Sequence, residues 1–192
     1  MNNLAGEKLF ESGPSVGEGL TKRLEKRRNI KGEIFLDTPG FSDRELRLDA
    51  ATAIANALRQ SGKFKVIFVI CEEDGIVDEE DILTMKSVLD AASDIGMDYG
   101  IIVNMVSDDI LEDIDGKSKE FLEKALKEIP KANRCLDNRL LFLGEITELD
   151  GGYNCMLPEG DSNLKLLTDF VKNEVPMVNI ESKNVKDIQL YF

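Results

Sequence analysis

The sequence predicts an α/β fold, a three-layer, doubly wound and mostly parallel sheet, and three observations carry that prediction. Four short apolar runs, three of them with β-branched residues, punctuate the chain: Ile34–Leu36, Val66–Ile70, Ile101–Val103 and Leu140–Leu143. Each run is continuous instead of alternating, the pattern of a strand covered on both faces. Segments of helical period lie between them, and strands alternating with helices favour a parallel sheet.

The elements follow in order. Residues Gly13 to Gly32 are rich in Gly, Lys and Arg and predict a mobile loop, then a short edge strand or helix. After the first apolar run, Ala50, Ile54, Ala57 and Leu58 share one helical face, with Gly62 just past its end as a stop. The next helix places Ile82, Met85, Leu89 and Ala92 on one face, and Asp78, Glu79, Glu80 and Asp81 in its first turn complement the helix dipole. A third helix is predicted from about Lys117 to Ile129, with Leu122, Ala125, Leu126 and Ile129 as its stripe and Pro130 ending it. A fourth, near Leu164 to Lys172, buries Leu167, Phe170 and Val171, after a loop from Asp150 to Asn163. The main domain is expected to run through residue 175. In the tail 176–192, Val185, Ile188, Leu190 and Phe192 either pack back onto it or belong to a disordered end.

Composition narrows the function. A chain of 192 residues, 42% hydrophobic and 32% charged, suits one globular domain. The net charge of −13 repels nucleic-acid backbones and anionic lipid heads, so neither is expected as a broad partner. A nucleotide is still compatible, because backbone N–H groups and a metal ion make one pocket locally positive. The three cysteines, Cys71, Cys135 and Cys155, show no C-x-x-C spacing, which argues against zinc or a disulfide framework and for a reducing compartment. With no histidine, Ser–His and Cys–His nucleophile systems are excluded. The longest apolar run, Val66–Cys71, is far too short to span a bilayer, and the first residues lack a signal-peptide pattern; a cytoplasmic protein is expected.

The most informative element is Phe35-Leu36-Asp37-Thr38-Pro39-Gly40, an apolar strand ending in Asp-Thr-Pro-Gly. Ligands of open α/β sheets bind at the carboxyl ends of strands. A strand-end Asp holds a metal ion through its water shell, and a Gly three residues on turns its N–H to a terminal phosphate with no Cβ in the way. Pro-Gly is also a common turn pair, so a plain strand exit accounts for the same residues.

With Phe41-Ser42-Asp43 after it, this motif resembles the γ-phosphate-sensing switch of the immunity-associated, septin-like P-loop GTPases of GIMAP type. The strand Lys65–Ile70, the acidic Glu72-Glu73-Asp74 and the helix Glu79–Ala92 are similar to the family's next unit, and the likeness covers the first 145 residues. It implies a GTP-binding switch with Mg²⁺, in which Asp37 and Gly40 contact the nucleotide, Asp37 and Thr21 serve the metal, and Asn104 and Asp108 read the base. It leaves GTP hydrolysis and a nucleotide-dependent homodimer open. The family's guanine motif is Asn-Lys-x-Asp; here Asn104 is followed by Met105, and Ser107 stands where Asp belongs, with Asp108 one place later. Asp108 needs a local irregularity to reach the purine edge, while Met105 is apolar and flexible enough to cover a base. Where small GTPases place a water-orienting Gln, this chain has Phe41, so hydrolysis is expected to be slow or assisted by a partner.

No G-x-x-x-x-G-K-[ST] string occurs in the chain. Met1-Asn2-Asn3-Leu4-Ala5-Gly6 resembles the helix just downstream of that loop, so the expectation is a domain beginning after its phosphate loop and central first strand. Losing that strand leaves its two neighbours with unsatisfied edges unless the sheet rearranges. A pseudo-GTPase that binds no nucleotide is the first rival reading. A phosphoacceptor domain with Asp37 as the reactive carboxylate, and Glu72 or Glu73 nearby, is the second.

Overall fold

A computed structural model gives the fold and describes residues 1–13, 21, 23–39, 47–73, 76–77, 79–112, 139–144, 146, 152 and 155–191. The predicted helix at 117–129, the switch residues Gly40 to Asp43, Asp150, Gly151, Tyr153 and Asn154 of the Asp150–Asn163 loop, and Phe192 lie outside the described residues.

Three parallel strands form the centre. Strand β4 (Val66–Glu73) pairs with β6 (Tyr99–Val106), which pairs with β7 (Leu140–Gly144); the two-residue β5 (Ile76–Val77) adds antiparallel to the end of β4. Side-chain alternation divides this sheet into two apolar faces. On one face Ile70, Ile101, Val103 and Phe142 pack against α2 (Arg47–Leu58) and α3 (Glu79–Ala91) through Ala50, Ile54, Leu58, Ile82, Met85 and Leu89. On the other, Ile102, Leu141 and Leu143 meet Phe170 and Val175, which follow α5 (Ser162–Asp169). Asp161 starts α5 by accepting from the N–H groups of Asn163 and Leu164 at 2.8 and 3.2 Å, which satisfies two donors that the helix leaves free. Gly100 is what lets Phe170 and Val175 sit on the sheet: a Cβ there would lie 2.5 Å from the Val175 side chain. This is a mixed α/β protein with a three-strand parallel sheet.

Two expectations are corrected. The run Ile34–Leu36 is not an inner strand of that sheet. It lies in β2 (Ile34–Asp37), which forms a separate antiparallel hairpin with β1 (Glu25–Arg28), and Ile34 is 46% exposed. Among the described residues β2 pairs only with β1, and the outer edge of β4 carries only β5. Val66–Ile70 is likewise not buried throughout: Ile70 is 1% exposed but Val69 is 60% exposed, because α5 and its continuation cover the other end of that face.

The tail forms part of the core. Strand β8 (Val178–Ile180) pairs with β3 (Gly62–Phe64), directly after α2, and Val178, Ile180, Val185 and Ile188 are all under 9% exposed. Polar ties hold it there. Asp94 accepts from the Glu181 N–H at 2.9 Å and from Asn184 Nδ2 at 2.8 Å, and Arg59 reaches Asp187 at 2.6 Å. Tyr191 donates to Asp90 at 2.9 Å, with Lys86 over its ring. Among the described residues no helix is long and apolar enough to cross a membrane.

Candidate functional site

Asp37 ends β2, and the structure brings it to Thr21. The Thr21 hydroxyl donates to Asp37 Oδ2 at 2.7 Å, both side chains half-buried. These are the two residues that the sequence names for a metal, and they meet across the β1–β2 hairpin. A cavity of about 300 Å³ opens at the Asp37 carboxylate, lined also by Met1, Asn2, Asn3, Phe10, Glu11, Ser12 and Cys155. The short helix α1 (Asn2–Ala5) supplies one wall. Its Asn2 is 6% exposed and fixes the following loop: Oδ1 accepts from the N–H groups of Leu9 and Phe10, and Nδ2 donates to the Phe10 carbonyl. Asn3 accepts from the Leu157 N–H at 3.0 Å and so closes the opposite wall beside Cys155. Burial pushes the amine of Met1 below its ordinary range, and the nearby Asp37 carboxylate partly opposes this.

The fit to Mg²⁺ rests on donor chemistry. Magnesium takes oxygen ligands in an octahedron and is usually held by one or two carboxylates, waters and phosphate oxygens. Adjacent corners of that octahedron are about 3 Å apart, so an Asp carboxylate and a Thr hydroxyl at 2.7 Å match two of them with little movement. Among the described residues no group of three or more His, Cys, Asp or Glu side chains gathers to hold a cation.

The second predicted pair sits at the end of β6. Asn104 is half-buried and stands opposite Cys71 of β4. Register with β7 then slips by one residue: Val103 faces Phe142, but Val106 faces Gly144. The slip coincides with a left-handed Met105, φ 61°, whose side chain is 55% exposed. A bulge of this kind takes up one extra residue. Asn104 and Asp108 are four apart in sequence where the guanine motif has three; the register slip lies beside Asn104, and Asp108 is exposed at the start of α4 (Asp108–Glu112). No hydrogen bond among the described residues joins this pair to Thr21 and Asp37, and Gly40 is outside them. Asn2, Asn3, Ser12 and Cys155 were not singled out as site residues from the sequence. Polar side chains beside a helix start carry no local signal until the fold places them by Asp37.

Protein-family models give no match to this chain, and curated proteins give no significant one.

Proposed function

We propose that this chain is a nucleotide-binding switch of the septin-like, GIMAP-type GTPase kind, binding guanine nucleotide with Mg²⁺ at the carboxyl ends of β2 and β6. The observation that carries the reading is the Thr21–Asp37 hydrogen bond, which pairs a switch-loop hydroxyl with a strand-end carboxylate. The bulge at Met105 supports it independently, since Asp108 requires that irregularity to act on a base. When bound, Mg²⁺ would neutralise phosphate charge. Asp37 and Thr21 would hold it, Met105 would cover one face of the base, and Asp108 would accept from the purine edge. Gly40 completes the set as the terminal-phosphate contact.

The phosphate cradle is the part these 192 residues do not contain. Among the described residues β2 pairs only with β1 and the outer edge of β4 carries only β5, so the hairpin and the parallel sheet are separate sheets. The same split sheet favours, for this chain by itself, the second reading of a scaffold that binds no nucleotide.

The test is a titration of fluorescent GTP and ATP analogues, with and without Mg²⁺, against this chain and a version lengthened upstream by about 40 residues to include strand and loop. Mg²⁺-dependent binding of GTP by the longer protein is the expected result. Binding by neither leaves the scaffold reading, and covalent labelling of Asp37 by acetyl phosphate would replace both with a phosphoacceptor.

A further inference from the structure

Thr21 and Glu25 both lie against Asp37. The Thr21 hydroxyl donates to its carboxylate at 2.7 Å, and Glu25 of β1 is its partner in the hairpin register. The short stretch between them therefore starts and ends at one carboxylate. Arg23 is its midpoint, two residues from each end. Two residues of backbone span at most about 7 Å, which a guanidinium on its long stem covers.

The fold leaves this arginine uncommitted. Its neighbours are used: Lys26 donates to Gln60, and Arg27 pairs with Glu25 at 2.9 Å. Lys22 lies outside the described residues. Arg23 is exposed and makes no hydrogen bond or ion pair among the described residues, although Glu25 and Asp37 stand on either side of it. An exposed arginine is by default a solvated charge. The cavity at Asp37 gives this one a use. Asp37 and Glu11 line it with no Lys or Arg side chain beside them, so a phosphate entering it meets negative charge unless a cation reaches in from the rim.

We propose that Arg23 is a catalytic residue for hydrolysis of the bound nucleotide, carrying its guanidinium to the terminal phosphate from within the same chain. The inference rests on the nucleotide reading above and adds a reaction to it. A water oxygen forms a bond to the terminal phosphorus, and the bond from that phosphorus to the bridging oxygen breaks. Nucleoside diphosphate and inorganic phosphate result, and the water protons leave with the phosphate. Negative charge grows on the bridging oxygen as its bond breaks, and a guanidinium donating to it stabilises that charge more than it stabilises the bound triphosphate. Phe41 has no group to orient the water, so electrostatic stabilisation is the contribution left to the chain's own side chains. Arg23 breaks no ion pair among the described residues when it moves onto the phosphate.

The experiment compares the unsubstituted protein, Arg23→Ala and Arg23→Lys in the lengthened form used for the nucleotide titration. Three quantities are read with Mg²⁺ present: affinity for a non-hydrolysable GTP analogue, kcat for phosphate release, and binding of GDP with aluminium fluoride, a mimic of the phosphoryl group in transfer. Arg23→Ala is expected to hold the analogue within about threefold of the unsubstituted affinity while kcat falls about a hundredfold. Its binding of GDP with aluminium fluoride should be lost. Arg23→Lys should fall between the two, since it keeps the charge without the fork. Unchanged kcat and aluminium fluoride binding in Arg23→Ala overturn the inference and leave the nucleotide reading standing. So does a loss confined to analogue affinity, which would make Arg23 a ground-state contact, or an unsubstituted protein that binds GTP without hydrolysing it. Failure of the unsubstituted protein to bind GTP overturns the reading, and the inference with it.

Discussion

The hydroxyl of Thr21 donates to the carboxylate of Asp37 at 2.7 Å, joining two residues sixteen apart in the chain. A hydrogen bond to an ionised acceptor contributes about 1.5–3 kcal/mol when well shielded, and this one is half-buried. Thr21→Ala is expected to lower stability by about 1 kcal/mol. In the lengthened protein it should also weaken Mg²⁺-dependent nucleotide binding by roughly tenfold, and Asp37→Asn by more. A magnesium titration of nucleotide affinity decides this; an unchanged magnesium dependence in Thr21→Ala would remove Thr21 from the site.

Met105 occupies left-handed backbone, φ 61°, which costs a non-glycine residue about 1–2 kcal/mol. Met105→Gly is expected to raise stability by up to about 1 kcal/mol, after the entropy that glycine loses on folding. Met105→Ile should lower it by more than about 1 kcal/mol, since a branched Cβ fits that region worst. Urea midpoints for the two variants should move in opposite directions. If both fall alike, the bulge does not depend on this residue's backbone.

Gly100 and Val175 test the packing of the second face. A methyl at Gly100 meets the Val175 Cγ2 position at 2.5 Å and the Phe170 ring at 3.1 Å. Gly100→Ala should cost about 1–3 kcal/mol by overpacking. Val175→Ala opens space for that methyl, so the double variant should be more stable than the sum of the two single losses predicts. Strict additivity in thermal melts would contradict this contact.

The C-terminal strand carries the last prediction. Ile180 is 1% exposed in the main core, and Ile180→Ala should cost about 2–5 kcal/mol. Asp94→Ala, which frees Glu181 and Asn184, should cost about 1–2 kcal/mol and raise amide exchange in β8 and in β3, its partner. Exchange that rises only in β8 would show that the tail peels away without loosening β3.

Much of the framework was legible because burial leaves a periodic trace. Val66–Ile70, Ile101–Val103 and Leu140–Leu143 are the three parallel strands, and the stripes through Ala50–Leu58 and Ile82–Leu89 are the helices that cover one face. The fate of Ile34–Leu36 was not legible. An apolar strand has the same composition inside a sheet or in a hairpin beside one, and only its hydrogen-bonding neighbours distinguish the two. Asn29 was silent for a related reason: an asparagine in a Gly- and Lys-rich stretch reads as solvated, and its burial depends on where α1 meets the hairpin.

By itself the sequence determined the three parallel strands, the helices α2, α3 and α5, the absence of histidine, and the strand-end position of Asp37, because composition and period act locally. The tertiary structure alone decided that Thr21 meets Asp37, that the β6–β7 register slips beside Met105, and that the Ile30 side chain stands in solvent. Each of these depends on distances between segments remote in the chain or on how a strand registers with its neighbour, and neither quantity is written in any local pattern of residues.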